Sequence, residues 1–186
     1  MILEITEFDH PALRTKGRPV EKIDNRIREL AADMIDTMRE AEGVGLAAQQ
    51  VGLPLQLFVL DVPQMKDRPS SMRIEGQPAD FESMMPMILI NPEILTAGPI
   101  DTGGEGCLSF PGFRGDVSRP FTVRVKATSL EGTPIEFEAD GLLARAVQHE
   151  FDHLQGILFI DRLEEEDFAS LPKDIQRLAR PQSRPV

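Results

Sequence analysis

The sequence predicts an α+β fold in one domain spanning residues 1–186. Mixed or antiparallel sheets would pack around a central buried helix that carries His-Glu-x-x-His, with an amphipathic helix near the N-terminus. Three observations predict it. Strong helical periodicity occurs in only two stretches, about 25–42 and 141–155. Several short segments are either continuously apolar or alternate with period two between turn residues. The second helical stretch is apolar on two sides, which places it inside the protein rather than on its surface.

Residues 1–23 read as an extended arm containing Pro11 and Pro19. Asp24 is a good helix N-cap; behind it Ile27, Leu30, Met34, Ile35 and Met38 share one face, and Gly43 can end the helix. The stretch GVGLAAQQVG (43–52) has more glycine than a helix or strand interior tolerates. LQLFVLD (55–61) reads as a buried strand. Residues 63–86 hold four prolines and no clean period, which predicts a long loop whose Met65, Met72, Met84 and Met85 serve as adaptable packing or a flap. MILINPEIL (87–95) is strand-like but interrupted at Asn91-Pro92, and residues 121–129 and 134–139 form a hairpin about EGT. The second helix starts at a capping Asp140 and ends at Gly156. Leu143, Val147, Phe151 and Leu154 line one side, and Leu142, Ala146, His149 and His153 the other. The last segment, 164–186, reads as a variable tail with a surface helix.

A formal charge of -11 argues against a general nucleic-acid binder, since phosphate contacts need clustered cations. The exception is local: Lys173, Arg177, Arg180 and Arg184 face only Asp174 in the tail. No apolar run has the length of a membrane helix, and the N-terminus lacks the basic and apolar regions of a signal peptide. A single cysteine makes no internal disulfide, which suits a reducing cytoplasm.

The chemistry concentrates in QHEFDH (148–153). On a helix His149 and His153 face the same way and can share a metal ion, while Glu150 stands round the axis, within reach of a metal-bound water. A catalytic site needs a third protein ligand and an open fourth position. The third histidine, His10, is isolated and reads as a surface or turn residue. Cys107, in the glycine-rich GGEGCLSFPG, is the natural candidate. The blander alternatives are a chance helix with two histidines and a cysteine that is merely a small buried apolar residue.

Three segments together resemble the peptide deformylase family: GVGLAAQQ (43–50), EGCLS (105–109) and QHEFDH (148–153), continuing as LQG. FDHPALRTKGRPV near the start and INPEI before the cysteine motif are similar as well, so the likeness spans about residues 5–163. It implies removal of the formyl group from the N-terminal formyl-methionine of new bacterial or organellar proteins. It also implies one divalent metal ion, natively Fe²⁺ in many members, with Zn²⁺, Ni²⁺ or Co²⁺ as possible occupants. By position, Cys107, His149 and His153 would be the metal ligands and Glu150 the general acid/base. Gln50 and the backbone N–H of Leu108 would hold the oxyanion.

Further expectations follow from that substrate. Gly45 presents bare backbone along which a peptide could lie. Val44, Leu142 and Ala146 are candidates for the methionine pocket, and Arg145 for its rim, covering the opening with its aliphatic stem or touching substrate. Arg119, or failing it Arg114, is expected to pair with Glu105 and support the cysteine loop. In some family members the C-terminal segment contacts the ribosome, which the basic tail here makes conceivable. Two other functions compete. A zinc endopeptidase would take its third ligand downstream of the HExxH helix. A non-catalytic metal-stabilised binding protein would not need Glu150 or Gln50.

Overall fold

The computed structural model describes residues 1–180, so Arg184 of the basic tail lies outside the described residues. Seven strands form one antiparallel sheet in the order β1-β2-β5-β6-β7-β3-β4. They are β1 (Gly45–Ala47), β2 (Leu57–Leu60), β3 (Ser70–Ile74), β4 (Gln77–Ala79), β5 (Met87–Cys107), β6 (Phe110–Thr128) and β7 (Pro134–Asp140). The helices are α1 (Asn25–Glu40), α2 (Gly141–Leu154) and two short C-terminal ones, α3 (Glu165–Ser170) and α4 (Lys173–Leu178).

β2 shows why the sheet is apolar on both faces. Phe58 and Leu60 point into a core shared with Leu143, Val147 and Leu154 of α2. Leu57 and Val59, one residue out of phase, point into a second core with Met34 and Met38 of α1. α2 lies against β1, β2, β3, β5, β6 and β7, which buries it from Leu143 to Glu150 without a break.

Both long helices end on the same backbone device. At the end of α1 the Gly43 N–H donates to the Met38 carbonyl and the Glu42 N–H to that of Arg39. The left-handed residue there is Glu42 (φ 54°), not Gly43. At the end of α2 the left-handed residue is Gly156 (φ 72°), and the Ile157 N–H donates to the Asp152 carbonyl. The start of α2 differs from expectation. The Asp140 carboxylate accepts from Thr122, Arg73 and Ser71 rather than from the helix, and Ser70 Oγ accepts from the Leu143 N–H at 3.0 Å in its place.

Ser70 belongs to a segment expected to be a loop. Residues 63–86 instead contain the β3–β4 hairpin, and β3 pairs with β7. The hairpin turn is Glu75-Gly76, both with positive φ, the geometry a tight two-residue turn requires. Nor does the strand at 87–95 end at Asn91-Pro92. The ladder shifts register between Ile90 and Glu93, Asn91 takes φ 50°, and the strand runs on to Cys107. The Asn91 side chain accepts from the Val20 N–H and donates to the Val20 carbonyl, tying the N-terminal arm to the shift. β5 and β6 therefore form one long hairpin with Leu108 and Ser109 at its tip.

Candidate metal centre

The hairpin tip meets the middle of α2. Cys107 Sγ lies 3.3 Å from His153 Nε2, and one ligand atom from each of Cys107, His149 and His153 falls within 4.8 Å of the others. A tetrahedral ion with bond lengths of about 2.0–2.3 Å sets its ligands roughly 3.3–3.7 Å apart, so this donor set fits a single ion. His149 Nδ1 is 2.9 Å from Glu105 Oε2, which leaves Nε2 free to ligate an ion. A thiolate and two imidazoles suit Fe²⁺ or Zn²⁺ alike.

Glu105 is the hub behind the candidate ligands. Arg119 donates to both of its oxygens, at 2.6 and 2.9 Å, so the expected Arg119–Glu105 pair is present and bidentate. Burial pushes the Glu105 carboxyl up, but the charge and hydrogen bonds of Arg119, with His149 beside them, outweigh it and hold the group well below the usual carboxylate range. Arg119 also donates to Asp152, which Arg162 holds from the far side at 2.6 and 2.7 Å. Asp152 and Arg162 were given no role in reading the sequence. Asp152 sits inside HEFDH, three residues after His149, and that spacing was the available signal.

Glu150 is 4% exposed, and its Oε2 has no hydrogen-bond partner among the described residues. Burial lifts its carboxyl to about 7, with the nearby His149 working the other way. Its neighbour Gly45 explains how it fits: a Cβ at position 45 would stand 2.8 Å from the Glu150 carboxyl carbon. Gly43 makes similar room for the Leu108 side chain, whose Cδ1 would be 2.7 Å from an added Cβ. Gln50 is held in one orientation. Its Oε1 accepts from the Ala47 N–H at 2.9 Å, which turns Nε2 toward Cys107 Sγ at 3.5 Å and Ser109 Oγ at 3.3 Å.

These groups open on a cleft of about 720 Å³ lined by Val44, Gly45, Gln50, Cys107, Leu108, Leu142, Ala146, His149 and Glu150. Met65, Arg68, Phe113 and Arg114 also line it and were not anticipated there, although Met65 lies in the segment expected to pack or form a flap. Met72, by contrast, is a core residue, and Met84 and Met85 pack against that same core. His10 is an exposed turn residue whose Nδ1 accepts from the Ala12 N–H.

Arg145 was expected at the pocket rim. Its side chain borders the cleft and is only 5% exposed. The guanidinium turns inward to Asp101, Glu105 and three backbone carbonyls. Its partners Asp101, Gly103 and Val117 come from a stretch to which the sequence reading assigned no strand, and Glu105 was matched there to Arg119 or Arg114 instead.

The chain resembles known proteins along nearly its whole length. The family model described as polypeptide deformylase matches residues 2–169. The peptide deformylase of Methylacidiphilum infernorum is 49% identical over 180 residues, 97% of this chain and 94% of that one. That of Opitutus terrae is 43% identical over 182 residues, again 97% and 94% of the two chains. Among solved structures, the crystal structure of a peptide deformylase from Synechococcus elongatus in complex with actinonin superposes with a TM-score of 0.81 at 38% identity, covering 97% of this chain and 91% of that one. The peptide deformylase of Thermotoga maritima superposes with a TM-score of 0.73 at 38% identity, covering 88% and 99%. Similarity that reaches across both chains in sequence and in fold shows that this chain belongs to the polypeptide deformylase family.

Proposed function

We propose that Cys107, His149 and His153 hold one divalent ion, natively Fe²⁺ and replaceable by Zn²⁺, Ni²⁺ or Co²⁺, and that Glu150 is the proton carrier beside it. The chain is a hydrolase that removes the formyl group from the N-terminal formyl-methionine of new proteins and releases formate. The observation that carries the residue assignment is the cluster of three ligand atoms within 4.8 Å in the cleft that also holds Glu150 and Gln50.

When bound, the ion supplies Lewis acidity toward water and the formyl oxygen. The chain's own groups do the rest. Glu150 accepts the proton of the attacking water and returns it to the leaving amine nitrogen. A carboxyl lifted to about 7 is suited to both halves of that exchange. Gln50 Nε2 and the Leu108 N–H donate to the oxygen as negative charge develops on it, and losing one such donor typically costs about 3–4 kcal/mol of barrier. Gly45 offers main chain to the peptide, while Val44, Leu142 and Ala146 form the apolar wall for the methionine side chain.

Formate release from formyl-Met-Ala tests this reading. Loss of activity after metal removal, recovery on adding Fe²⁺ or Co²⁺, and no action on Met-Ala are expected. Cleavage of internal bonds in unformylated peptides would instead support the endopeptidase reading.

We extend the proposal to the tail. Lys173 and Arg177 on α4 are exposed while Ile175 between them is buried, so the helix turns its cations outward. That supports a ribosome contact during synthesis in the bacterial cytoplasm. Because α4 is packed into the protein, charge reversal at Lys173 and Arg177 is a better test than truncation. Salt-sensitive cosedimentation with ribosomes should be lost in that variant, and unchanged cosedimentation would end the idea.

A further inference from the structure

Arg145 sits on α2 one turn before His149, yet five of its hydrogen bonds reach across to the hairpin that carries Cys107. Nη2 donates to the Asp101 carbonyl oxygen at 2.7 Å and to its carboxylate at 2.9 Å. Nη1 donates to the carbonyls of Val117 at 2.7 Å and Gly103 at 3.3 Å, and to Glu105 Oε1 at 2.9 Å. These partners lie on both strands of the hairpin, and three of them fall two to six residues before Cys107. Glu105 in turn holds His149 Nδ1.

We propose that Arg145 is a positioning residue that clasps the cysteine-bearing hairpin to the histidine-bearing helix, and so fixes the separation of the metal ligands. Two of the ligands are on α2 and the third is at the end of β5, so some cross-link must set the distance between those elements. The β5–β6 ladder cannot do so, because it joins the hairpin only to itself. A planar guanidinium can, since its fork reaches several acceptors in fixed directions at once. Arg145 is also one link in a buried chain of alternating charge, Asp101–Arg145–Glu105–Arg119–Asp152–Arg162. Asp101 is the exposed end of that chain, with half of its side chain in solvent. Each inner charge is paired on both sides, which is what allows arginine and carboxylate to be buried behind the site.

The inference rests on the metal reading above, and the test separates the two. Zn²⁺ affinity is measured by chelator competition for the intact chain and for Arg145→Met, Arg145→Lys, Asp101→Asn and, as a control, Arg73→Met, which breaks two ion pairs away from the cleft. Replacing groups that orient metal ligands typically weakens metal binding 10–100-fold, and that range is expected for Arg145→Met. Arg145→Lys should fall between, since an ammonium can meet one carboxylate but not the carbonyls. Asp101→Asn should weaken Zn²⁺ binding a few-fold, and Arg73→Met not at all. KM for formyl-Met-Ala in metal-saturated Arg145→Met should stay near that of the intact chain. Unchanged Zn²⁺ affinity in Arg145→Met overturns the clasp, and a raised KM at unchanged affinity returns Arg145 to the substrate. Should Arg145→Met fail to fold, Asp101→Asn decides: unaltered affinity there overturns the proposal. An intact chain that takes up no Zn²⁺ would overturn the metal centre and the clasp with it.

Discussion

A methyl group at position 45 would stand 2.8 Å from the Glu150 carboxyl carbon, which makes Gly45 the residue that decides where the proposed proton carrier sits. No left-handed backbone is required there, since Gly45 is absent from the positive-φ residues, so alanine should be tolerated by the chain and resented only by Glu150. Gly45→Ala is expected to lower kcat on formyl-Met-Ala by about 100-fold, the usual consequence of a displacement near 1 Å at a reacting group. Metal content per chain should be unchanged, because the three atoms nearest an added Cβ at position 45 all belong to Glu150. Metal analysis beside the rate checks both halves. Reading the sequence suggested Gly45 as bare main chain for a substrate, and that remains compatible. The contact with Glu150 was not legible, because it depends on how β1 crosses α2. Cys107, His149, His153 and Glu150 were legible as candidates because HExxH sets two imidazoles on one helix face with a carboxylate beside them, and the resemblance to the family singled out the cysteine. The inward turn of Arg145 was not, because its partners lie on strands that composition disguised.

At the scale of elements, the two long helices and β2 could be read directly, since each has a clear period or an unbroken apolar run. The long β5–β6 hairpin could not. Much of β5 beyond Pro92 is exposed on both faces and rich in glycine, so alternation is absent where the strand is longest. The β3–β4 hairpin hid among prolines, although Glu75-Gly76 was a usable turn signal. That second miss had a consequence for α2, whose N-terminus is capped from β3. Ser70→Ala removes the oxygen that accepts from Leu143 N–H, and it should destabilise the chain by about 1 kcal/mol, the ordinary value of a cap. Urea unfolding measures this directly. Asp140→Asn should leave the cap intact, since its carboxylate serves Thr122, Arg73 and Ser71.

At the scale of the molecule, the site lies where separate cores meet. One core joins the sheet to α2, a second joins it to α1, and a third gathers Leu13, Phe110, Phe159, Leu171 and Ile175. The third brings the tail into the structure. Asp161 accepts from both Arg14 and the Arg180 N–H, and Arg14 donates to the Leu178 carbonyl, which ties the N-terminal arm to the C-terminal helices. Phe159 of this core lies against the His149 ring, with centroids 6.3 Å apart. The tail had read as a variable surface helix, because two buried apolar residues among many charges leave no visible stripe. No helix among the described residues is long and apolar enough to cross a membrane.

The proposed division of labour has Glu150 move the proton while Cys107, His149 and His153 hold the ion. The most direct measurement is formate release from formyl-Met-Ala by Glu150→Gln, with metal counted per chain on the same sample. The substitution keeps the shape of the side chain and removes its ability to take a proton. One bound ion per chain and a rate reduced by about 10²–10⁴ are expected, the usual contribution of a positioned acid–base group. A metal-loaded Glu150→Gln enzyme that released formate at the unaltered rate would contradict that division.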